Sequence, residues 1–312
     1  VTRALPILPI LPDEVDEVDE VDDAGSGTYP SVRAVGLDTL WFQVAGTICN
    51  LKCTHCFISC SPTNHTHEML SLAVVQRYLV EAARLGVREY YFTGGEPFMN
   101  DDILPMLEAT LAQGPASVLT NGVLLRGKLT QRLRELSDAS PYSLDLRISL
   151  DGWDATSNDP IRGAGTFDRI LRGIDESARA GLNPVITVTE ACDAAASNDG
   201  RARFLAFLRS IGLDRPRLKI MPLLRIGAEA ERLRAYASWE SLAGTTLLPS
   251  EAESLQCSSG RMVTSQGVFV CPILIDTPAA RLGDSLEGAL VPFQLKYRAC
   301  YTCHAEGLSC RT

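Results

Sequence analysis

Nine of the ten cysteines in this chain fall into two tight groups, and that grouping limits what it can fold into more than any other feature. Cys49, Cys53, Cys56 and Cys60 lie near one end, Cys257, Cys271, Cys300, Cys303 and Cys310 near the other, and Cys192 stands apart. A disulfide framework scatters its cysteines along a small chain, whereas close spacing is the arrangement of metal ligands. In CNLKCTHC, from Cys49 to Cys56, three thiolates can hold three irons of a [4Fe–4S] cube and leave the fourth iron open to a ligand. Cys60 offers the alternative of a closed four-cysteine set, either an electron-transfer cluster or a zinc site.

From Thr39 onward short apolar runs alternate with amphipathic stretches. Strands are expected at Leu40–Ala45, Glu89–Thr93, Ser117–Thr120, Leu144–Leu150, Pro184–Thr189 and Arg217–Pro222. Helices are expected at Ser71–Leu85, Asp101–Gln113, Leu129–Leu136, Thr166–Ala180 and Ala202–Ile211. Alternating β and α units imply parallel strands, because each return to a parallel neighbour needs a crossover. The class is α/β, either an open doubly wound sheet or a barrel. After Gly227 the rhythm changes to a helix around Glu229–Tyr236 and two short strands, Gly260–Thr264 and Val268–Val270, within the second cysteine group.

At the end of the second strand stands YYFTGGEPF, with Gly94, Gly95 and Glu96. Two glycines let a backbone approach a ligand closely, and a carboxylate there can accept from a cationic amine. Following a CxxxCxxC by some forty residues, this pair of motifs resembles the radical S-adenosylmethionine superfamily across roughly residues 39–312. The resemblance implies a partial (β/α)6 barrel in which Cys49, Cys53 and Cys56 hold a catalytic cluster. S-adenosylmethionine would complete that cluster, with Gly94, Gly95 and Glu96 holding its amine and His55 lining its adenine. By the same resemblance Thr120 and Asn121 of LTNG, Ser149 of ISLDG and Arg162 of IRGAGTF face the cofactor where strands end. Each of these four can equally be turn or surface chemistry.

The C-terminal cysteines resemble a twitch or SPASM extension carrying a second, auxiliary [4Fe–4S] cluster; a zinc ribbon is the other reading. Cys257, Cys271, Cys300 and Cys303 are the expected ligands, with Cys310 able to replace Cys257. Whichever of Cys257 and Cys310 is spare is the expected catalytic hydrogen donor. The implied organisation is a disordered acidic tail over 1–36, the barrel over 37–226 and the auxiliary domain over 227–312.

Composition sets the partners. Of the net charge of −9, eight units come from DEVDEVDEVDD at Asp13–Asp23. That run, with no basic stripe anywhere, opposes nucleic acid binding. VTRALPILPILP is too short and proline-rich for a membrane span or signal peptide, so a cytoplasmic protein with no membrane partner is expected. An external donor of flavodoxin or ferredoxin type would supply electrons. By analogy with compact twitch enzymes, the substrate is expected to be a carbohydrate-like small molecule, an aminoglycoside or cyclitol, which an anionic protein would attract. Epimerisation is the expected outcome. The alternatives are dehydrogenation of the same substrate, radical modification of a ribosomal peptide, and a non-catalytic electron-transfer protein.

Overall fold

The computed structural model describes residues 28–191, 195, 197 and 199–310. The acidic run and Cys192 lie outside the described residues. The strands are β1 (Ser31–Val32), β2 (Thr39–Gln43), β3 (Glu89–Thr93), β4 (Ala116–Thr120), β5 (Leu144–Ser149), β6 (Val185–Thr189), β7 (Arg217–Met221), β8 (Gly260–Thr264), β9 (Gly267–Phe269), β10 (Arg281–Gly283) and β11 (Phe293–Gln294). Helices α1 (Leu72–Leu85), α2 (Ile103–Leu111), α3 (Lys128–Ala139), α4 (Ala155–Arg162), α5 (Thr166–Arg179) and α6 (Gly200–Ser210) lie between the strands from β2 to β7. Beyond them come α7 (Ala228–Arg232), α8 (Pro249–Ser254) and α9 (Arg298–Ala305).

Strands β2 to β7 pair in sequence order and all run parallel, the six-stranded frame of a partial (β/α)6 barrel. Every residue of β2 is buried, as expected of a parallel strand covered on both faces. The crossover helices are cut to fit. In α1, Val75, Tyr78, Leu79 and Ala82 form the apolar stripe; Ser71 accepts from Val74 N at its start, and Gly86 ends it in the left-handed conformation. In α5, Gly173 has no side chain to strike the Gly122 carbonyl, which would lie 2.0 Å from an added Cβ. This lets the helix seat against the turn that follows β4.

Side chains on successive strand residues point to opposite faces. Trp41 stacks on Tyr91 with ring centroids 4.2 Å apart, so these two share a face. By register that face also carries Ser117 and Asp145, and by alternation Arg147, Ser149, Thr187 and Lys219. It is the concave interior of the barrel.

The segment after Gly227 joins the barrel sheet: β8 pairs in parallel with β2, and the hairpin to β9 and then β10 extends the same sheet to nine strands. Two expectations are corrected. The helix expected around Glu229–Tyr236 is shorter, Ala228–Arg232. Within the tail expected over 1–36, residues 28–36 are packed. Val32 is buried, β1 pairs with β11, Leu295 N donates to Pro30 O at 2.9 Å and Val35 N to Ser258 O at 2.8 Å. Composition suggested disorder, but a two-residue strand that pairs far away in sequence leaves no local periodicity to read.

A truncation series follows from this packing. A chain beginning at Thr28 should keep its melting temperature. One beginning at Leu37 should melt several degrees lower, having lost the burial of Val32, roughly 1.5–3 kcal/mol, together with its backbone pairings. Equal melting of the two would show that β1 contributes nothing.

Candidate active site

The loop after β2 carries the first cysteines and is knotted by its own backbone. Ile48 N donates to Ala45 O, Cys49 N to Ser61 O and Ser61 N to Thr47 O. Leu51 N reaches Cys49 Sγ at 3.4 Å, and Cys60 N reaches Cys56 Sγ at 3.3 Å. Burial pushes the Cys49 thiol up to about 12 and the Cys53 thiol up to about 11, with the charge of neighbouring thiols adding to each. Cys56 moves the other way, to about 6, chiefly because the Cys60 thiol donates to it. Burial thus disfavours the thiolate at Cys49 and Cys53, and a bound cation would favour it. Cys60 donates both its N–H and its S–H to Cys56. Among the described residues no three His, Cys, Asp or Glu side chains are placed to hold a single metal ion. Three thiols within electrostatic reach of one another, Cys49 buried and Cys53 and Cys56 half-buried, fit three corners of an iron–sulfur cube.

The GGE turn after β3 is stitched to this loop. Gly95 N donates to Gly46 O at 2.9 Å and Glu96 N to Ile48 O at 3.0 Å. A Cβ on Gly95 would lie 1.8 Å from the Ile48 carbonyl oxygen, so only glycine fits. Gly94 adopts φ +134° against Ala45, a backbone that also favours glycine. Glu96 is fully buried. Its carboxylate accepts from Thr120 Oγ1 at 2.7 Å, Asn121 N at 2.8 Å and Phe98 N at 3.2 Å. Burial pushes its carboxyl up to about 7 against the pull of these donors. Thr120 and Asn121 thus meet Glu96. The Asn121 side chain continues to Asn50 Oδ1 at 2.7 Å and Cys49 Sγ at 3.7 Å.

On the opposite side Asp151, fully buried just past β5, gathers two residues expected near the cofactor. His55 Nε2 lies 2.9 Å and Arg162 Nε 2.7 Å from Asp151 Oδ2, while Thr189 donates its N–H and hydroxyl to Oδ1. Burial would raise the Asp151 carboxyl, but Arg162 and His55 hold it well below the usual carboxylate range. Arg162 is buried and close enough to lower the Cys53 thiol. His55 Nδ1 is buried without a hydrogen-bond partner. Ser149 ends β5 half-buried on the barrel interior. Asp151 was legible in the sequence only as part of a turn signal.

The second cysteine group meets in one apolar cavity. Cys257, Cys271, Cys300 and Cys303 line it together with Leu274 and Phe293. Burial pushes Cys257 up to about 12 and raises Cys271, Cys300 and Cys303. Arg261, fully buried beside them, donates to the carbonyls of Ala289, Cys257 and Gly260, a counter-charge that sequence reasoning missed. Cys310 is close to Cys271 and Cys303 but stands outside that lining, toward the barrel. Its carbonyl accepts from Arg147 Nη1 at 2.6 Å. His67 is buried, its Nε2 2.8 Å from Asp276 Oδ1.

Residues 44–191 match the model of the Radical SAM superfamily. A probable GTP 3′,8-cyclase of Methanosarcina mazei is 34% identical over 146 residues, 44% of this chain and 41% of that protein. The mycofactocin maturase of Mycobacterium ulcerans is 35% identical over 135 residues, 43% of this chain and 35% of that protein. The chain thus spans well under half the length of either relative. Among solved structures, anSMEcpe with bound S-adenosylmethionine superposes with a TM-score of 0.60 at 16% identity, covering 80% of this chain and 76% of that one in its tagged form. Streptococcus suis SuiB bound to S-adenosylmethionine gives 0.60 at 17% identity over 78% of this chain and 62% of its own. These likenesses show the fold.

Two substitutions test the geometry. Gly95→Ala should force the GGE turn off the cysteine loop and remove about half of the reconstituted iron; full iron retention would contradict the close approach. Folded Glu96 holds its proton more tightly than the unfolded residue. Its ionisation therefore removes stability as pH rises from about 4.5 through about 7, by up to ~3 kcal/mol. In cofactor-free protein, Glu96→Gln should flatten unfolding free energy against pH across that window, and an unchanged slope would show that Glu96 is not the group responsible.

Proposed function

We propose, from the match of residues 44–191 to the Radical SAM superfamily, that the chain abstracts a hydrogen atom from a substrate C–H bond at the barrel mouth. When bound, the cluster and S-adenosylmethionine supply the reductive cleavage that begins such chemistry. In this reading Cys49, Cys53 and Cys56 hold the catalytic [4Fe–4S] cluster, and Cys257, Cys271, Cys300 and Cys303 hold an auxiliary one. The observation that carries it is the lock between the two motifs: Gly95 and Glu96 bonded to the carbonyls of the cysteine loop, with Asn121 bridging Glu96 to Cys49.

The chain's own residues then have definite tasks. Glu96 fixes the turns after β3 and β4 by accepting from both. Asp151 accepts from His55 Nε2 and so leaves Nδ1 as an acceptor, suited to the amino group of an adenine. Arg162 lies near Cys53 and supplies positive charge beside the thiolates of a bound cluster.

For the outcome we favour epimerisation, which the place of Cys310 supports. Its thiol is outside the lining of the apolar cavity and within electrostatic reach of Arg147 and Lys219 on the barrel interior, where it can return a hydrogen atom to the opposite face of a substrate radical. The sulfur radical left behind takes one electron from an external flavodoxin- or ferredoxin-type donor and one proton from solvent. The substrate reading moves from the carbohydrate to a peptide. The relatives described above carry names that speak of GTP and of maturation, and one SuiB structure holds a precursor peptide. Arg147, Arg217 and Lys219 on the interior face would also repel a polyamine sugar.

Anaerobic reconstitution tests this reading. The wild-type chain should form 5′-deoxyadenosine, and Cys53→Ala should form none while losing about half the iron. With substrate in D2O, an epimerase adds one deuterium at the inverted carbon. Cys310→Ser should keep its iron and still release 5′-deoxyadenosine but make no epimer. A product two mass units lighter with no deuterium would mean dehydrogenation instead.

A further inference from the structure

The interior face of β5, β6 and β7 has more positive charge than the protein answers. Arg147 is buried to 1% exposure. It gives Nη1 to the Cys310 carbonyl at 2.6 Å and Nη2 to Met221 Sδ at 3.7 Å, a weak acceptor, and its Nε has no hydrogen-bond partner. Lys219, two strands away and half-buried on the same face, is close enough for the two charges to repel. Between them on β6, Thr187 stands in register with Lys219, and its Oγ1 is buried without a partner. The neighbouring carboxylate, Asp145, is committed to Arg217, which contacts both of its oxygens. Among the described residues, this stretch of the interior holds three cations and one carboxylate. A buried guanidinium edge with no acceptor is costly unless something supplies one.

We infer that Arg147, Thr187 and Lys219 form a seat for a carboxylate of the substrate inside the barrel. Arg147 Nε, the Thr187 hydroxyl and the Lys219 ammonium come from three adjacent strands. A guanidinium N–H, a hydroxyl and an ammonium suit the two oxygens of one carboxylate, the anion a peptide substrate carries, and both terminal nitrogens of Arg147 are already engaged. The seat borders Cys310, whose carbonyl Arg147 holds, so the bound group would lie beside the proposed hydrogen donor. The inference rests on the peptide reading and narrows it: the substrate carries an acidic side chain or a C-terminal carboxylate next to the residue that reacts.

The test compares two C-terminally amidated tripeptides, Ala-Glu-Ala-amide and Ala-Gln-Ala-amide, binding to the fully reconstituted protein with S-adenosylmethionine present, measured by calorimetry under anaerobic conditions. The wild type should prefer the glutamate peptide by tenfold or more. Lys219→Met should abolish the preference, and Lys219→Arg should restore most of it, with iron content confirming an intact fold in each. Equal binding of the two peptides by the wild type would overturn the seat. So would a Lys219→Met chain that keeps the preference while the auxiliary cluster's reduction potential shifts, since Lys219 would then serve the cluster alone. Formation of 5′-deoxyadenosine, followed in the same samples, separates failure of the seat from failure of the radical reading.

Discussion

The structure depends on the contact between Gly95 and the Ile48 carbonyl. The cysteine loop has no regular secondary structure and would be loose on its own. It is held because the GGE turn can lie flat against it, donating Gly95 N–H to Gly46 and Glu96 N–H to Ile48. A single added Cβ at position 95 would separate the two segments. Glu96 extends the hold to the end of β4 through Thr120 and Asn121, and Asn121 returns to Asn50 and Cys49. The ends of three adjacent strands are therefore locked around the thiols before any ligand arrives, which is how a site keeps its groups in place without reorganisation.

Electrostatics divides the same region into unlike parts. Glu96 is enclosed among neutral donors and burial raises it, whereas Asp151, equally buried, is held ionised by Arg162 and His55. The cysteine thiols sit between these carboxylates. Cys56 is lowered by Cys60 while burial raises Cys49 and Cys53, and a bound metal cluster would favour the thiolate form of all three. At the other end Arg261 stands beside Cys257 and Cys271, and Arg147 beside Cys310. Each cysteine group is thus paired with a buried arginine.

Much of this was legible in the sequence because it is local. The barrel strands β2 to β7 lie within a residue or two of where apolar runs bounded by turns place them, and five of the crossover helices follow their stripes. CNLKCTHC and GGEP mark chemistry by spacing alone. What escaped is what depends on distant pairing. β1 is two residues long and exists only because β11 meets it. β8 joins the barrel sheet through a register with β2 that no periodicity announces. Asp151 reads as a turn residue until His55 and Arg162, nearly a hundred and some ten residues away, close on it. Spacing alone also left Cys257 and Cys310 interchangeable; in the structure Cys257 lines the apolar cavity and the Cys310 carbonyl meets Arg147. The carbohydrate substrate came from architecture by analogy and from net charge, which is a property of the whole chain and does not report the local charge of the barrel interior, where Arg147, Arg217 and Lys219 gather.

The central claim is that Cys49, Cys53 and Cys56 hold a cluster whose fourth iron binds S-adenosylmethionine. Electron–nuclear double resonance on the reduced, anaerobically reconstituted protein with S-adenosylmethionine carrying 15N in its amine and 17O in its carboxylate tests it most directly. The account predicts hyperfine coupling from both labels to a [4Fe–4S]+ signal, absent when Cys53 is replaced by Ala. A [4Fe–4S]+ signal from this N-terminal site with no coupling from either label would mean a fully ligated cluster, closed by a fourth residue such as Cys60, and would contradict the account.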